Sequence, residues 1–372
     1  MRRRIMIILM VLCTFVLITD SKVVQEGAEK GIAICLQSVI PALFPFFTIS
    51  SLLVSYLSGT IGSRHTLLCK LFGMPKGTEH IFLIGLLGGY PTGANAIHQA
   101  WKNRTLSTSD ARRLLCFCNN AGPAFIFGIC GAFFENIWYG YLIWGIQIIS
   151  ALFVGILLHR KSLSCPENNK PSSNLTIPGA MEKGLRSISK VCGWVILFRV
   201  LISILEHRFL HTMDSKWQIL LNGMLELSNG CTQLGAIQLP GTRFIFAGFI
   251  LAFGGICVTM QTSSVVGELG LGLYIPCKAV QSIFAVFLAA VLQPILFPEH
   301  ETAPQYLWIA VISGIIVILA SVVAVIFKKT VDFQCKSVYN PRRIYKSEGL
   351  NHAFPKENRK ILQLLLLQRK TG

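Results

Sequence analysis

The chain has 372 residues, of which 52% are apolar and 14% charged, with a formal net charge of +17 and a mean hydropathy of +0.58. Soluble domains carry roughly 25% charged residues, so this composition excludes an ordinary water-soluble domain. The 34 Lys and Arg lie almost entirely between apolar runs and at the C-terminus. That distribution reads as membrane topology, not as a nucleic-acid surface, and predicts an all-α integral membrane protein.

In chain order, Arg2-Arg3-Arg4 followed by Ile5 to Thr19 has the basic flank and short apolar core of a signal sequence, but no small-residue cleavage site follows. Residues 1–30 are therefore expected to be a retained anchor. Apolar runs of spanning length, or close to it, follow at Ile32–Leu57, Cys116–Phe134, Trp138–Leu158, Val191–Leu205, Phe244–Val266, Leu273–Phe297 and Tyr306–Phe327. Two further runs are interrupted: Ile81–Ile97 by Gly88 to Gly93, and Trp217–Ile237 by Ser228-Asn229-Gly230. Pro166, Pro171 and Pro178 mark residues 162–187 as a cytoplasmic linker. The tail, residues 329–372, is basic, and Lys360 to Arg369 could form a short amphipathic helix on anionic lipid or simply fix that end inside.

Charge counting decides how the interrupted runs are threaded. If both cross fully, the inside loops hold 19 Lys/Arg and the outside loops 13. If both enter and return on one side, the count becomes 27 inside and 5 outside, which the positive-inside rule prefers. The expected fold is about eight transmembrane helices plus two re-entrant hairpins, with both termini cytoplasmic. The order span, hairpin, span, span then occurs twice with opposite orientation, in residues 31–161 and 188–298, with residues 299–328 as a last helix. Inverted repeats with broken helices at matching positions are the plan of secondary transporters, and the breaks point to the substrate site.

The runs Val39-Ile40-Pro41-Ala42-Leu43-Phe44-Pro45-Phe46-Phe47, Gly85-Leu86-Leu87-Gly88-Gly89-Tyr90-Pro91-Thr92-Gly93-Ala94, Leu115-Cys116-Phe117-Cys118-Asn119-Asn120-Ala121-Gly122-Pro123-Ala124-Phe125 and Phe253-Gly254-Gly255-Ile256-Cys257-Val258-Thr259-Met260-Gln261 resemble the YlbJ family of sporulation integral membrane proteins over most of residues 30–300. The resemblance implies a nucleoside-recognition or gate fold, similar to concentrative nucleoside transporters and to the membrane part of ferrous-iron uptake GTPases. It also implies a role in endospore formation, the outer forespore membrane as the site, and dipicolinate as cargo.

The candidate ligand residues lie at the breaks. Gly88, Gly89, Tyr90, Thr92 and Gly93 would let backbone amides approach an anion, or form a tight structural turn. Asn119 and Asn120, read as mid-span, could contact cargo or pin the first hairpin, with Pro123 loosening the helix there. Arg199 is expected to be the one cation deep in a span, where it could neutralise a dianionic substrate or pair with Glu226. Glu226, Asn229 and Gly230 would form the second hairpin's polar tip, with Thr259 and Gln261 beyond the Gly254-Gly255 break. His98 and Glu135 are expected at the interface. The cysteines fall mostly inside apolar runs, where a thiol acts as a small hydrophobe, and no metal, cofactor or catalytic constellation is expected. The partners expected are a small anion and the bilayer, with a second copy or sporulation membrane proteins possible. The leading function is transport of that anion; the alternative is a non-transporting scaffold or receptor for spore-envelope assembly.

Overall fold

The computed structural model describes residues 2–57, 67–130, 134, 136–160, 175–298 and 308–320, all within one compact unit, Met1–Ser321. The basic tail, Glu135 and residues 162–174 of the linker stretch lie outside the described residues. Those described contain helices and no strand.

After α1 (Arg2–Thr19), α2 (Ser21–Ile34) runs through a π-helical turn, Cys35–Val39, into α3 (Ile40–Leu57). Two short helices follow, α4 (Leu67–Phe72) and α5 (Glu79–Gly88), then α6 (Thr92–Lys102) and α7 (Thr108–Leu115). Next come α8 (Pro123–Phe125) with a π turn at Ile126–Cys130, and α9 (Ile137–Leu157). The second half holds α10 (Ile177–Leu205) with a π turn at Glu206–Leu210, α11 (Ser215–Leu225), α12 (Leu227–Gln233), α13 (Pro240–Phe253), α14 (Gly255–Val266) and α15 (Tyr274–Leu296). A last helix, α16, covers Trp308–Ala320. Helix α10 begins inside the stretch read as linker, because Thr176 caps it by accepting from the Gly179 amide and Pro178 stands in its first turn.

Among the described residues, five continuous helical stretches are long and apolar enough to cross a bilayer: Ser21–Leu52, Ile137–Leu157, Ile177–Leu210, Pro240–Leu269 and Tyr274–Leu296. Polarity is distributed inside out. Leu36, Ile49, Trp138 and Ile295 are 62%, 65%, 67% and 73% exposed, a surface that water would not tolerate and lipid would. Asn119, Gln147, Asn222, Asn229 and Gln281 are fully buried.

The element order repeats. In the first half a long helix (α2–α3) is followed by a hairpin (α5, α6), a broken helix (α7, α8) and a long helix (α9); in the second, α10 is followed by α11 and α12, then α13 and α14, then α15. Equivalent helices run antiparallel. Gly27 and Gly31 lie on Val200 and Ile196, the Cys35 thiol lies 3.7 Å from the Cys192 carbonyl, and Gly184 packs on Thr48, so α2–α3 ascends as α10 descends. Likewise Tyr139 meets Phe297, Ser150 meets Gln281 and Phe153 stacks on Phe284 at 4.1 Å between ring centroids. Opposed equivalents are what a two-fold axis lying in the membrane plane produces.

The hairpins repeat in detail. A Cβ placed on Gly93 would lie 3.0 Å from the Gly85 Cα, and one on Gly230 would lie 2.2 Å from the Gly223 Cα. Each hairpin thus crosses glycine on glycine. Each crossing also meets the residue four before a glycine break in the next helix: the Cys118 carbonyl before Gly122, and the Ile250 side chain before Gly254.

One expectation at the breaks needs correcting and another holds. The run Cys116–Phe134 is not one helix with a loosened turn: α7 stops at Leu115, and the chain resumes helix only at Pro123. Pro123 occupies the first helical position, where its missing N–H is no loss. Asn119 and Asn120 therefore sit in irregular backbone. The break at Gly254-Gly255 is present as read, with both residues at positive φ (78° and 83°), a region glycine enters without a Cβ clash.

Candidate functional site

Four interruptions arise in these two halves: Gly89–Pro91, Cys116–Gly122, Glu226 and Gly254. They meet. One cavity of about 30 Å³ is lined by Gly88, Gly89 and Tyr90 from the first hairpin, Ala121 and Gly122 from the first broken helix, Glu226 and Ser228 from the second hairpin, and Val258 and Gln261 beyond the second break. A cavity of that size holds only a few water molecules. A larger groove of about 220 Å³ lies beside it and shares Val191 and Gln261; Phe47, Thr92, Asn95, Arg186, Lys190, Trp194 and Ser264 line it. Arg186 pairs with the exposed Glu182 at 2.6 Å.

Glu226 is buried at the α11–α12 break and accepts hydrogen bonds from the Ser228 amide (3.0 Å), the Asn229 amide (2.7 Å) and Asn229 Nδ2 (2.7 Å). It is thus the N-cap of α12, and Asn229 is turned toward it. Glu226→Ala strands three buried donors, so a loss of about 2–4 kcal/mol is expected. Glu226→Gln, which keeps one acceptor, should lose less. Thermal melting in detergent reads this, and equal melting of Glu226→Ala and wild type would remove the cap from the account.

Asn119 ties the first hairpin to the second half. Its Oδ1 accepts from the Ala94 amide at 3.2 Å, and its Nδ2 lies 3.0 Å from both Thr262 Oγ1 and Tyr274 OH. Asn120 turns the other way: its Nδ2 donates to the Phe117 carbonyl (2.7 Å), while its Oδ1 accepts from Gln281 Nε2 and Lys278 Nζ, both at 2.9 Å. Lys278 was not anticipated. It is 1% exposed, also donates to Gln281 Oε1 at 2.9 Å, and stands 5.2 Å from the Tyr90 ring centroid and 5.8 Å from that of Tyr274. No carboxylate pairs with it among the described residues.

The remaining predicted residues divide. Gly93 and Gly230 are packing glycines at the hairpin crossings. Thr92 donates to the Gly88 carbonyl (3.1 Å) and lines the groove. Thr259 donates to the Gly255 carbonyl within its own helix, whereas Gln261 lines both cavity and groove. Arg199 does not join them, and it does not pair with Glu226. It donates to Glu206 Oε2 at 3.0 Å, two turns along the same helix, and Asn222 Nδ2 holds the other Glu206 oxygen at 2.7 Å. Glu206 wins because an i,i+7 spacing puts it on the same face of α10, while Glu226 is engaged by α12.

Fold and site together define an all-α integral membrane protein of two inverted halves whose broken helices meet at one buried polar centre. The chain is similar to the sporulation integral membrane protein YlbJ of Bacillus subtilis (strain 168), with 23% identity over 330 residues that cover 74% of this chain and 79% of that one. The match bears out the family resemblance carried by the Gly85–Ala94 and Leu115–Phe125 motifs. No protein-family model and no solved structure matches.

Proposed function

We propose that this chain transports a small dianionic metabolite, dipicolinate, across the outer forespore membrane during endospore formation. The observation that carries the reading is the convergence on one cavity, between antiparallel halves, of three helix breaks and of the helix that follows the fourth. Broken helices at the meeting of inverted repeats are where transporters hold cargo, and rocking of one half against the other exposes that place to each side in turn. A cavity of about 30 Å³ holds no dicarboxylate, so on this reading the described arrangement is a closed one.

The anionic character of the cargo rests on the groove. Arg186 and Lys190 line it together with Trp194 and Phe47, which suits a flat aromatic carrying carboxylates. It lies toward the ends of α3 and α10 that carry the basic loops, the cytoplasmic end under the positive-inside rule. The setting in sporulation is drawn from the name of the YlbJ relative, and the gate fold from the family resemblance. The proposal contains no catalytic step, cofactor or metal, and its partners are the anion, the bilayer and, in the cell, sporulation membrane proteins or a second copy.

The test is uptake of dipicolinate by proteoliposomes containing the purified full chain. Saturable uptake is expected, and Arg186→Glu with Lys190→Glu should slow it roughly 10-fold at low salt and less at high salt, because exposed charges act by steering. The small closed cavity favours one other reading, a non-transporting scaffold or receptor for envelope assembly. Proteoliposomes that move no dicarboxylate, made from well-folded protein, would establish the scaffold instead.

A further inference from the structure

Resting on the transport reading, we infer that Lys278 and the Tyr90 hydroxyl form the carboxylate-binding subsite, hidden in this conformation behind the Tyr90 ring. Three independent features point to it. First, Lys278 is a fully buried amine held only by neutral groups: when protonated it has three N–H donors, and the structure supplies two acceptors, Asn120 Oδ1 and Gln281 Oε1. A charge removed from water is normally paired, and within a membrane an unpaired one marks an ion or substrate position.

Second, Tyr90 is 93% buried, since it is 7% exposed, and its hydroxyl has no hydrogen-bond partner. That is costly for a buried donor unless something fills the vacancy in another state. Tyr90 lines the cavity, and its ring centroid lies 5.2 Å from the Lys278 nitrogen, so one residue touches both. Third, the backbone on either side is built for close approach and movement. Gly88 and Gly89 precede Tyr90 in the lining, Ala121 and Gly122 follow Asn120 in it, and the Tyr90 hydroxyl lies against Gly254, at the break of the second half.

The Tyr90 hydroxyl thus belongs to the first hairpin and touches the second half, and Lys278 is reached through the same ring. Displacement of Tyr90 as the halves part would let a cargo carboxylate accept from Lys278 Nζ and from the Tyr90 hydroxyl at once. The Asn120 and Gln281 oxygens would hold the ammonium whenever cargo is absent. The ligand class is a carboxylate, and the Tyr90 and Tyr274 rings flanking the ammonium favour one attached to an aromatic ring.

The experiment measures binding separately from transport. Detergent-purified full chain is titrated with dipicolinate, followed by thermal stabilisation and by intrinsic fluorescence, with the dimethyl ester of dipicolinate as an uncharged control. Wild type should be stabilised by the dianion and not by the ester. Lys278→Met and Tyr90→Phe should each weaken binding on the order of 10- to 100-fold, the value of one hydrogen bond to a charged group, while Lys278→Arg retains part of it. Tyr90→Phe is the decisive variant. Its hydroxyl bonds to nothing in the structure, so a purely structural role predicts an unchanged or higher melting temperature with unchanged affinity. Wild-type affinity in both Lys278→Met and Tyr90→Phe, or equal stabilisation by the ester, overturns the inference. Binding with the expected losses but no uptake in proteoliposomes overturns transport alone.

Discussion

Gly85→Ala is expected to eliminate the folded protein, while Gly145→Ala and Gly193→Ala leave its melting temperature unchanged or raise it. A Cβ on Gly85 would stand 1.7 Å from the Cys118 carbonyl oxygen and 2.6 Å from its carbon, both backbone atoms that no rotamer change can move. The same carbonyl lies 2.0 Å from a Cβ on Gly93, so it is clasped between the two arms of the first hairpin. Overpacking among flexible side chains costs about 1–3 kcal/mol. Here the obstacle is the irregular backbone that positions Asn119 and Asn120, so the cost should exceed about 3 kcal/mol, a large part of a marginal stability of roughly 5–15 kcal/mol. Gly145 and Gly193 are also helical but have nothing within 4 Å of a new Cβ, and alanine is the better helix former by about 1 kcal/mol. Yield of monodisperse protein and thermal melting read the series. A Gly85→Ala protein melting within a few degrees of wild type would mean that the hairpin does not seat on the Cys118 carbonyl.

The glycine positions also show what could be seen in the sequence. Hydropathy and the positive-inside count found both hairpins and predicted their opposed orientation, because bilayer thickness and loop charge act on composition alone. Gly85-Leu86-Leu87 and Gly223-Met224-Leu225 share a faint Gly-x-Leu pattern, and both glycines stand at the hairpin crossings. Hydropathy places Asn119 and Asn120 on a helix, although Gly122-Pro123 carries the signature of a helix start. In a uniformly apolar run that local signal competes with hydropathy and is easily overlooked.

Hydropathy does not mark Lys278 for a similar reason, since one charge barely changes the average of the Leu273–Phe297 run. The signal that would have found it is periodicity: Tyr274, Lys278 and Gln281 stand at i, i+4 and i+7, one polar stripe along an otherwise apolar helix. What no sequence pattern carries is which distant residue meets that stripe. Asn120 is 158 residues away from Lys278, and the pairing exists only because α15 packs on the break of the other half.

Arg199 tests whether a buried cation is structural or functional, and it should behave oppositely to Lys278. Its side chain is 7% exposed and that of Glu206 28%, with 3.0 Å between them. Asn222, fully buried, bridges from Glu206 to Gln233 at 2.9 Å and so links α10 to both arms of the second hairpin. Arg199→Met leaves the Glu206 carboxylate without its cation. Breaking a fully buried pair costs about 3–5 kcal/mol; the partial exposure of Glu206 lowers the expectation to about 2–3 kcal/mol. Arg199→Met combined with Glu206→Met removes both charges and should recover much of that loss, because a buried pair gains little over well-packed apolar groups. Dipicolinate affinity, measured on whichever of these proteins remains folded, should match wild type. A drop in affinity without a drop in melting temperature would return Arg199 to the binding site. Recovery of stability in the double variant with affinity intact would leave Lys278 as the cation that meets the cargo.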